Sequence, residues 1–142
     1  MAKVLISDKL DPLAVEIFES KGIEVDFKPG LSPEEQIAII GNYDGLAIRS
    51  ATTVTAEMID AAKNLKVVGR AGIGVDNVDI PKATEKGIVV MNTPFGNSIT
   101  TAEHAIAMMF ALARQIPQAN ASTHAGKWEK KKFMGVELYN KT

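Results

Sequence analysis

Short apolar runs alternate with segments of helical periodicity over residues 1–91. The apolar runs predict five strands, at residues 4–6, 23–27, 46–48, 65–68 and 88–91. Apolar residues at helical spacing between them predict four helices, at residues 11–20, 32–40, 55–62 and 81–86. Strand and helix alternate at about twenty residues, which is typical of a parallel sheet with helices on both faces. Five strands in this rhythm predict an α/β protein with a flavodoxin-like layout.

The pattern changes after Asn92. Residues 93–97 contain the proline and glycine of a linker-like turn. Thr100 and Glu103 have the spacing of a capping box, which predicts a long helix over residues 101–114. This helix is apolar nearly all round, so we expect it to be buried in a larger core or against another subunit. The remaining residues are too few to cover it and show no strong periodicity, so we expect an architecture that is cut off.

The composition is that of an ordinary globular protein and excludes several classes of function. A net charge of -1 argues against a nucleic-acid partner. The chain has no cysteine, which removes disulfides, thiolate metal sites and cysteine nucleophiles and fits a reducing cytoplasm. The amino terminus leads directly into a strand, so we expect no signal peptide. The longest apolar stretch, residues 105–113, is too short to span a bilayer, and we therefore expect a cytoplasmic protein without a membrane partner.

The candidate chemistry lies in residues 65–79, LKVVGRAGIGVDNVD. An apolar strand is followed by Arg70 and then by Gly72 and Gly74. Glycines let a backbone come close to a ligand because no Cβ stands in the way. Open α/β sheets bind ligands at the carboxyl ends of their strands, where Arg70 places a permanent cation. The segment therefore predicts an anion-binding crevice, with a tight turn between strand and helix as the alternative.

A dinucleotide fingerprint, G-x-G-x-x-G, does not fit this loop. Counting from Gly72, the third glycine position holds Asn77. Asp76 and Asp79 would place negative charge where a pyrophosphate should lie. The next apolar strand ends in Asn92 and not in the acid that would hold a ribose.

Four separated segments carry a family resemblance: IRSAT at 48–52, VVGRAGIGVDNVD at 67–79, GIVVMNTPFGNS at 87–98 and GKWEKKKFMG at 126–135. They resemble the D-isomer-specific 2-hydroxyacid dehydrogenases, which are NAD-dependent oxidoreductases. The resemblance implies a substrate-binding, flavodoxin-like domain over residues 1–97. It also implies that residues 98–142 begin a nucleotide-binding Rossmann domain whose first long helix helps to form a homodimer or higher homo-oligomer.

The resemblance assigns substrate binding to residues at strand ends, in the glycine loop, at the hinge and in the basic segment: Arg49, Ser50, Arg70, Gly72, Asn97 and Lys130. Two arginines favour a doubly anionic, phosphorylated hydroxy acid. The alternative for Arg49 is a surface ion pair with Asp44 or Glu57. The alternative for Lys130 and the lysines beside it is a solvated charged face.

The cofactor-binding residues that the resemblance implies are Ile73 and Gly74, through their backbone groups. Some relatives have Thr in place of Ile73, so no side-chain hydroxyl is expected to contact NAD. The catalytic Arg, Glu and His of the family are expected beyond Thr142, and no metal site is predicted. His104 and His124 match the catalytic His neither in position nor in context and are expected to be structural.

Two further hypotheses stay open at this point. One is a stand-alone binding or dimerisation module that holds an acidic metabolite without catalysis. The other keeps the enzyme class and changes the substrate to glyoxylate, hydroxypyruvate or lactate.

Overall fold

The computed structural model describes residues 1–141. Its single sheet has five strands: β1 (Lys3–Ile6), β2 (Glu24–Phe27), β3 (Gly45–Ile48), β4 (Val67–Arg70) and β5 (Val89–Met91). The connecting helices are α1 (Leu13–Ser20), α2 (Pro33–Ile40), α3 (Ala56–Ala61) and α4 (Ile80–Glu85). All pairings are parallel and the strand order is β2-β1-β3-β4-β5, which is the flavodoxin-like order predicted from the sequence.

Local sequence signals explain where the helices begin. Ser32 accepts a hydrogen bond from the Glu35 backbone N–H at 3.2 Å, and the Glu35 carboxylate accepts from the Ser32 N–H at 2.8 Å. This is the reciprocal capping box, with Pro33 at the first helical position of α2. Thr55 and Asp79 cap α3 and α4 in the same way, through the backbone N–H of the residue three positions later.

The order of the strands divides the helices between the two faces of the sheet. The chain steps from β1 to β2 in one direction and then, from β2 through β5, in the other. Because parallel crossovers are right-handed, α1 covers one face and α2, α3 and α4 cover the opposite face. The core lies mainly between the sheet and the latter group; its fully buried large side chains are Leu5, Ile40, Ile48, Val54, Met58, Ile59 and Val68.

The parallel arrangement brings the carboxyl ends of neighbouring strands to one edge of the sheet. Ile48 of β3 is in register with Arg70 of β4, and Gly69 is in register with Met91 of β5. The loops that follow these strands therefore leave the sheet side by side.

The chain divides into two compact units, the second beginning at Asn97. This second unit contains α5 (Ser98–Ala113) and α6 (Ile116–His124). The predicted capping box is wrong, because α5 begins at Ser98 and Thr100 lies within its first turn. The Thr101 N–H already donates to the Asn97 carbonyl at 2.9 Å, so the helix starts directly after the turn that contains Gly96.

Helix α6 was not predicted from the sequence, since its apolar residues follow no clear helical stripe. The available signals were at its ends. Pro117 lies in the first turn, where its missing N–H costs nothing, and Gly126 follows the helix with a φ of +73°.

The apolar surface of α5 is not covered by the part of the chain that the structure describes. No residue of this helix is buried, and Leu112 is 82% exposed. The sequence predicts burial for this helix, and within residues 1–141 that burial is absent. Among the same residues, no helix combines the length and the apolar character that crossing a bilayer requires.

Candidate functional site

The candidate site lies in the first unit, at the carboxyl edge of the sheet. Four of the five segments that follow a strand at that edge form the candidate site. They begin at Ser7 after β1, at Arg49 after β3, at Ala71 after β4 and at Asn92 after β5. Each loop is fixed by hydrogen bonds to one of the others.

Asp8 organises the loop that carries Arg49. One oxygen of its carboxylate, Oδ2, accepts the backbone N–H of Arg49 at 2.6 Å and those of Ala51 and Thr52 at 3.2 Å each. The other oxygen accepts the Thr52 hydroxyl at 2.6 Å, and the Ser7 hydroxyl lies 2.9 Å from the Thr52 hydroxyl oxygen. The buried Asp8 carboxylate thus accepts hydrogen bonds from three backbone N–H groups that would otherwise need water as their acceptor.

The pKa of the Asp8 carboxyl reflects two opposing effects. Burial raises the pKa, whereas the hydrogen bonds from the Thr52 hydroxyl and from the three backbone N–H groups lower it. The hydrogen bonds prevail together, so the pKa lies below the ordinary value of 3.8. Asp8 is therefore ionised at neutral pH.

Asn77 holds the same loop from the opposite side. Its Nδ2 donates to the Arg49 carbonyl at 2.8 Å and to the Thr52 carbonyl at 2.6 Å. The Val54 N–H in turn donates to the Asn77 carbonyl at 2.8 Å. The backbone of residues 49–52 is therefore fixed through its donors by Asp8 and through its acceptors by Asn77.

The Arg49 side chain extends from this fixed backbone into solvent. Its nearest hydrogen-bond contact is a long one, 3.5 Å from Nη1 to the Lys9 carbonyl. Within residues 1–141 it forms no ion pair, so the alternative pairing with Asp44 or Glu57 is not found. Asp44 instead pairs with Lys66 at 2.9 Å. Ser50 follows Arg49 and is also exposed.

The Arg70 side chain, by contrast, is mostly enclosed. It is 13% exposed, and its Nη1 donates to Asp76 Oδ1 at 3.0 Å. Its Nε is buried and has no hydrogen-bond partner. A Cβ on Gly72 would lie 3.4 Å from this Nε, and a Cβ on Gly74 would lie 2.9 Å from Nη1. The sequence interpretation gave the space over these two glycines to a ligand, but in the structure the Arg70 side chain lies there.

The glycine loop is fixed by the segment after β5. The Asn92 Nδ2 donates to the Ile73 carbonyl at 2.7 Å, and the Thr93 N–H donates to the Gly72 carbonyl at 2.9 Å. Ile73 itself is 40% exposed. The carbonyls of Gly72 and Ile73 thus accept hydrogen bonds, whereas over the described range the N–H groups of Ile73 and Gly74 donate to no protein acceptor.

Asn97 and Lys130 belong to the second unit and are described with it. Asn97 precedes α5, and its side chain makes no capping hydrogen bond to the helix. Lys130 is exposed in the turn after α6. Beside it, Glu129 accepts the Ser122 hydroxyl at 2.7 Å. This hydrogen bond is the main reason why the pKa of the Glu129 carboxyl lies below its ordinary value.

Sequence reasoning missed the residues that hold the loops, which are Asp8, Thr52, Asn77 and Asn92. Each lies in a loop that follows a strand, but its partners are mostly distant in sequence: Asp8 and Thr52 are 44 positions apart. Their positions in the sequence place them near the carboxyl edge of the sheet but do not indicate which groups they bind. Over residues 1–141, no cluster of three or more His, Asp or Glu side chains is placed to hold a metal ion.

The comparisons with known proteins define the class. The family described as D-isomer specific 2-hydroxyacid dehydrogenase, catalytic domain, matches residues 4–136. The chain belongs to this family.

Particular relatives narrow the comparison. The chain is 55% identical to D-3-phosphoglycerate dehydrogenase of Archaeoglobus fulgidus, over 99% of the chain and 27% of that protein. It is 58% identical to D-3-phosphoglycerate dehydrogenase of Homo sapiens, over 100% of the chain and 27% of that protein. The chain thus spans about a quarter of the length of these curated relatives.

Solved structures show the same fold. The NAD+-bound 3-phosphoglycerate dehydrogenase of Entamoeba histolytica matches with a TM-score of 0.70 and 34% identity, over 80% of this chain and 39% of that one. The PH0520 protein of Pyrococcus horikoshii OT3 matches with a TM-score of 0.84 and 30% identity, over 96% of this chain and 42% of that one.

Proposed function

We propose that this chain is the substrate-binding part of a D-3-phosphoglycerate dehydrogenase, an NAD-linked enzyme of serine biosynthesis. The reaction is the oxidation of 3-phosphoglycerate at C2 to give 3-phosphohydroxypyruvate. The substrate is named after the relatives with which the chain shares 55% and 58% identity. The chain supplies the groups that bind and orient the anionic substrate, and we assign no acid–base residue to it.

The observation that carries the proposal is the placement of two arginines. Arg49 directly follows β3 and Arg70 ends β4, and these two strands are neighbours in the sheet. Both cations therefore lie at the same carboxyl edge, where open α/β sheets bind their ligands. A guanidinium can form two parallel hydrogen bonds with a carboxylate or a phosphate. A substrate with an anionic group at each end suits two such side chains better than a substrate with one.

The loop after β4 supplies the remaining groups. The backbone N–H groups of Ile73 and Gly74 are open donors that can meet a carboxylate or the carboxamide of a nicotinamide ring. These residues fit NAD only as one edge of its site, because the sequence contains no G-x-G-x-x-G loop for the pyrophosphate. When bound, NAD accepts the hydride from C2 of the substrate. Asp8 and Asn77 keep Arg49 in position, so that substrate orientation is set before the reaction begins.

The test is to replace Arg70 in the complete protein that carries this chain. Arg70→Leu should raise the KM for 3-phosphoglycerate by about tenfold to a hundredfold, because a charge-assisted hydrogen bond is lost. The KM for an unphosphorylated acid such as hydroxypyruvate should change much less. The matched control is Lys66→Leu, which removes an exposed cation just before β4, at the opposite edge of the sheet. Equal effects of Arg70→Leu on both substrates would contradict the assignment.

The unchanged protein distinguishes the remaining alternatives. NAD-linked oxidation of 3-phosphoglycerate supports the proposal. A preference for glyoxylate or hydroxypyruvate would instead identify a related 2-hydroxyacid dehydrogenase. Phosphoglycerate binding with no NAD-linked turnover would identify a non-catalytic binding module.

We also propose that the protein is a homo-oligomer whose contact includes α5. The support is the exposed apolar surface of this helix, which includes Ile106, Met108, Phe110 and Leu112. Leu112→Glu should lower the mass measured by light scattering at micromolar concentration. The control Leu13→Glu changes a leucine of α1 that is 55% exposed and should leave the mass unaltered. A monomeric mass for the unchanged protein would contradict this proposal.

A further inference from the structure

Arg70 and Asp76 form a compact pair on the glycine loop. The Arg70 Nη1 lies 3.0 Å from Asp76 Oδ1. A Cβ on Gly74 would approach that Oδ1 to 2.7 Å and Nη1 to 2.9 Å, closer than real Cβ contacts allow. Glycine at position 74 therefore leaves room for the two side-chain ends to meet in this arrangement, and the pair fills the space beside the glycine.

The two partners differ in their freedom to move. The Arg70 side chain is 13% exposed, whereas Asp76 is 86% exposed. The arginine is held between the strand and the loop, but the carboxylate has almost no protein around it. An exposed carboxylate can turn into water with little loss, because water replaces its hydrogen bond. An enclosed guanidinium cannot do so, and its buried Nε has no hydrogen-bond partner within residues 1–141.

A negative charge on Asp76 also affects any anion that approaches Arg70. The carboxylate neutralises the cation that would attract the anion, and it repels the anion directly. A doubly charged phosphate has more to gain from Arg70 than a single carboxylate has, so it competes better with Asp76. The pair therefore favours a strongly charged ligand over a weakly charged one.

We propose that Asp76 is an internal counter-ion that occupies Arg70 in the substrate-free site and is displaced by the phosphate of the substrate. In this role Asp76 is a positioning and specificity residue that acts through Arg70. It weakens the binding of anions to Arg70, and most of all the binding of singly charged acids. The proposal rests on the proposed function only for the identity of the displacing ligand, a phosphorylated hydroxy acid.

The experiment measures phosphate affinity and kinetics in Asp76→Asn, made in the complete protein. Asparagine keeps the shape and one acceptor oxygen but removes the charge. Inorganic phosphate, titrated calorimetrically, should bind about threefold to tenfold more tightly than to the unchanged protein. The KM for 3-phosphoglycerate should fall, whereas the KM for hydroxypyruvate, which lacks the phosphate that Arg70 binds, should change much less. KM should change by more than kcat.

A merely structural role predicts the opposite sign. If Asp76 only supported Arg70, the substitution would loosen the arginine and phosphate affinity would drop, which would overturn the proposal. Asp76→Ala provides a second variant and should also tighten phosphate binding. Because Asp76 is highly exposed, neither variant should lower the thermal midpoint appreciably.

Two controls separate Arg70 from general electrostatics. Glu24→Gln removes an exposed carboxylate from β2, at the amino-terminal edge of the sheet, and should leave phosphate affinity unaltered. In the double variant Arg70→Leu/Asp76→Asn the gain should vanish. A gain that persists without Arg70 would overturn the proposal.

The calorimetric readout also separates this proposal from the proposed function. If the unchanged protein fails to oxidise 3-phosphoglycerate, the proposed function is wrong, but phosphate affinity still tests the counter-ion role. If oxidation is found and Asp76→Asn weakens phosphate binding, the function stands and the counter-ion role is wrong.

Discussion

The two units of the chain bury their apolar residues to different extents. In the sheet unit, the side chains of Leu5, Ile48 and Val68 are 0% exposed, and the helices that cover them belong to the same unit. In the helical unit no residue of α5 is buried, and Leu112 is 82% exposed. Both units are rich in apolar residues, so composition alone does not distinguish them.

The difference shows that the sheet unit contains its own buried apolar core, whereas the helical unit does not. Strands β1, β3 and β4 bury side chains in the core, and the same framework fixes the loops of the candidate site. Helix α5 has the length of a stable helix and contacts α6, but within the described residues none of its own residues is buried. A site that depends on fixed loops therefore belongs on the sheet unit, whereas an apolar helix surface suits association.

The largest expected effect comes from removing equal volume in the two units. Leu5→Ala should lower the free energy of unfolding by about 2–5 kcal/mol, because it leaves a cavity in the core. Leu112→Ala, which removes the same atoms from an exposed position, should change it by no more than about 0.5 kcal/mol in the isolated chain. Urea unfolding followed by circular dichroism measures both. Similar losses for the two variants would show that α5 is buried after all.

A smaller effect is expected at Asp8. Asp8→Asn replaces a carboxylate that accepts from three backbone N–H groups, and it should cost about 1–3 kcal/mol of stability. The control is Asp11→Asn, since this exposed carboxylate accepts from the Leu13 N–H alone. Both variants are measured by urea unfolding at pH 7. A loss no greater than that of the control would contradict the role given to Asp8.

The effect of Asp8 should also depend on pH. Its folded pKa lies below the ordinary value of 3.8, so its contribution to stability is fully present above pH 3.8. As the pH falls from 3.8 through the lower folded pKa, the carboxylate is protonated and the contribution is lost. The stability difference between the unchanged chain and Asp8→Asn should therefore narrow below pH 3.8. A constant difference across this range would show that charge plays no part.

The smallest effect compares two capping sequences that look alike. Ser32→Ala should cost about 1 kcal/mol, because the reciprocal hydrogen bonds with Glu35 are present. Thr100→Ala should cost nothing or stabilise slightly, because Thr100 lies inside α5 and alanine is a better helix former. Unfolding midpoints in urea are sufficient to compare them. If Thr100→Ala lowered the stability as much as Ser32→Ala does, Thr100 would act as a cap after all, contrary to the structure.

Much of the sheet unit could be predicted because its signals are local. The five apolar runs and the Ser32 cap act within a few residues, and the strands found begin and end within about two residues of those predicted. The same reasoning failed at the start of α5, where Thr100 and Glu103 have the spacing of a capping box but do not form one. A cap depends on where the preceding turn ends, and here the turn ends at Asn97, three residues before Thr100.

The sequence by itself determined the order of the elements, the flavodoxin-like layout and the position of two arginines at strand ends, because periodicity and turn residues act over short distances. The tertiary structure decided what surrounds those arginines. The Arg49 backbone is held by Asp8 and Asn77, and its side chain is exposed and forms no ion pair within residues 1–141. The Arg70 side chain is instead paired with Asp76 beside Gly74. The contacts of Asp8 and Asn77 join loops from different strands, which only the folded sheet brings together. The contact of Arg70 with Asp76 lies within the loop after β4 and depends on how that loop folds.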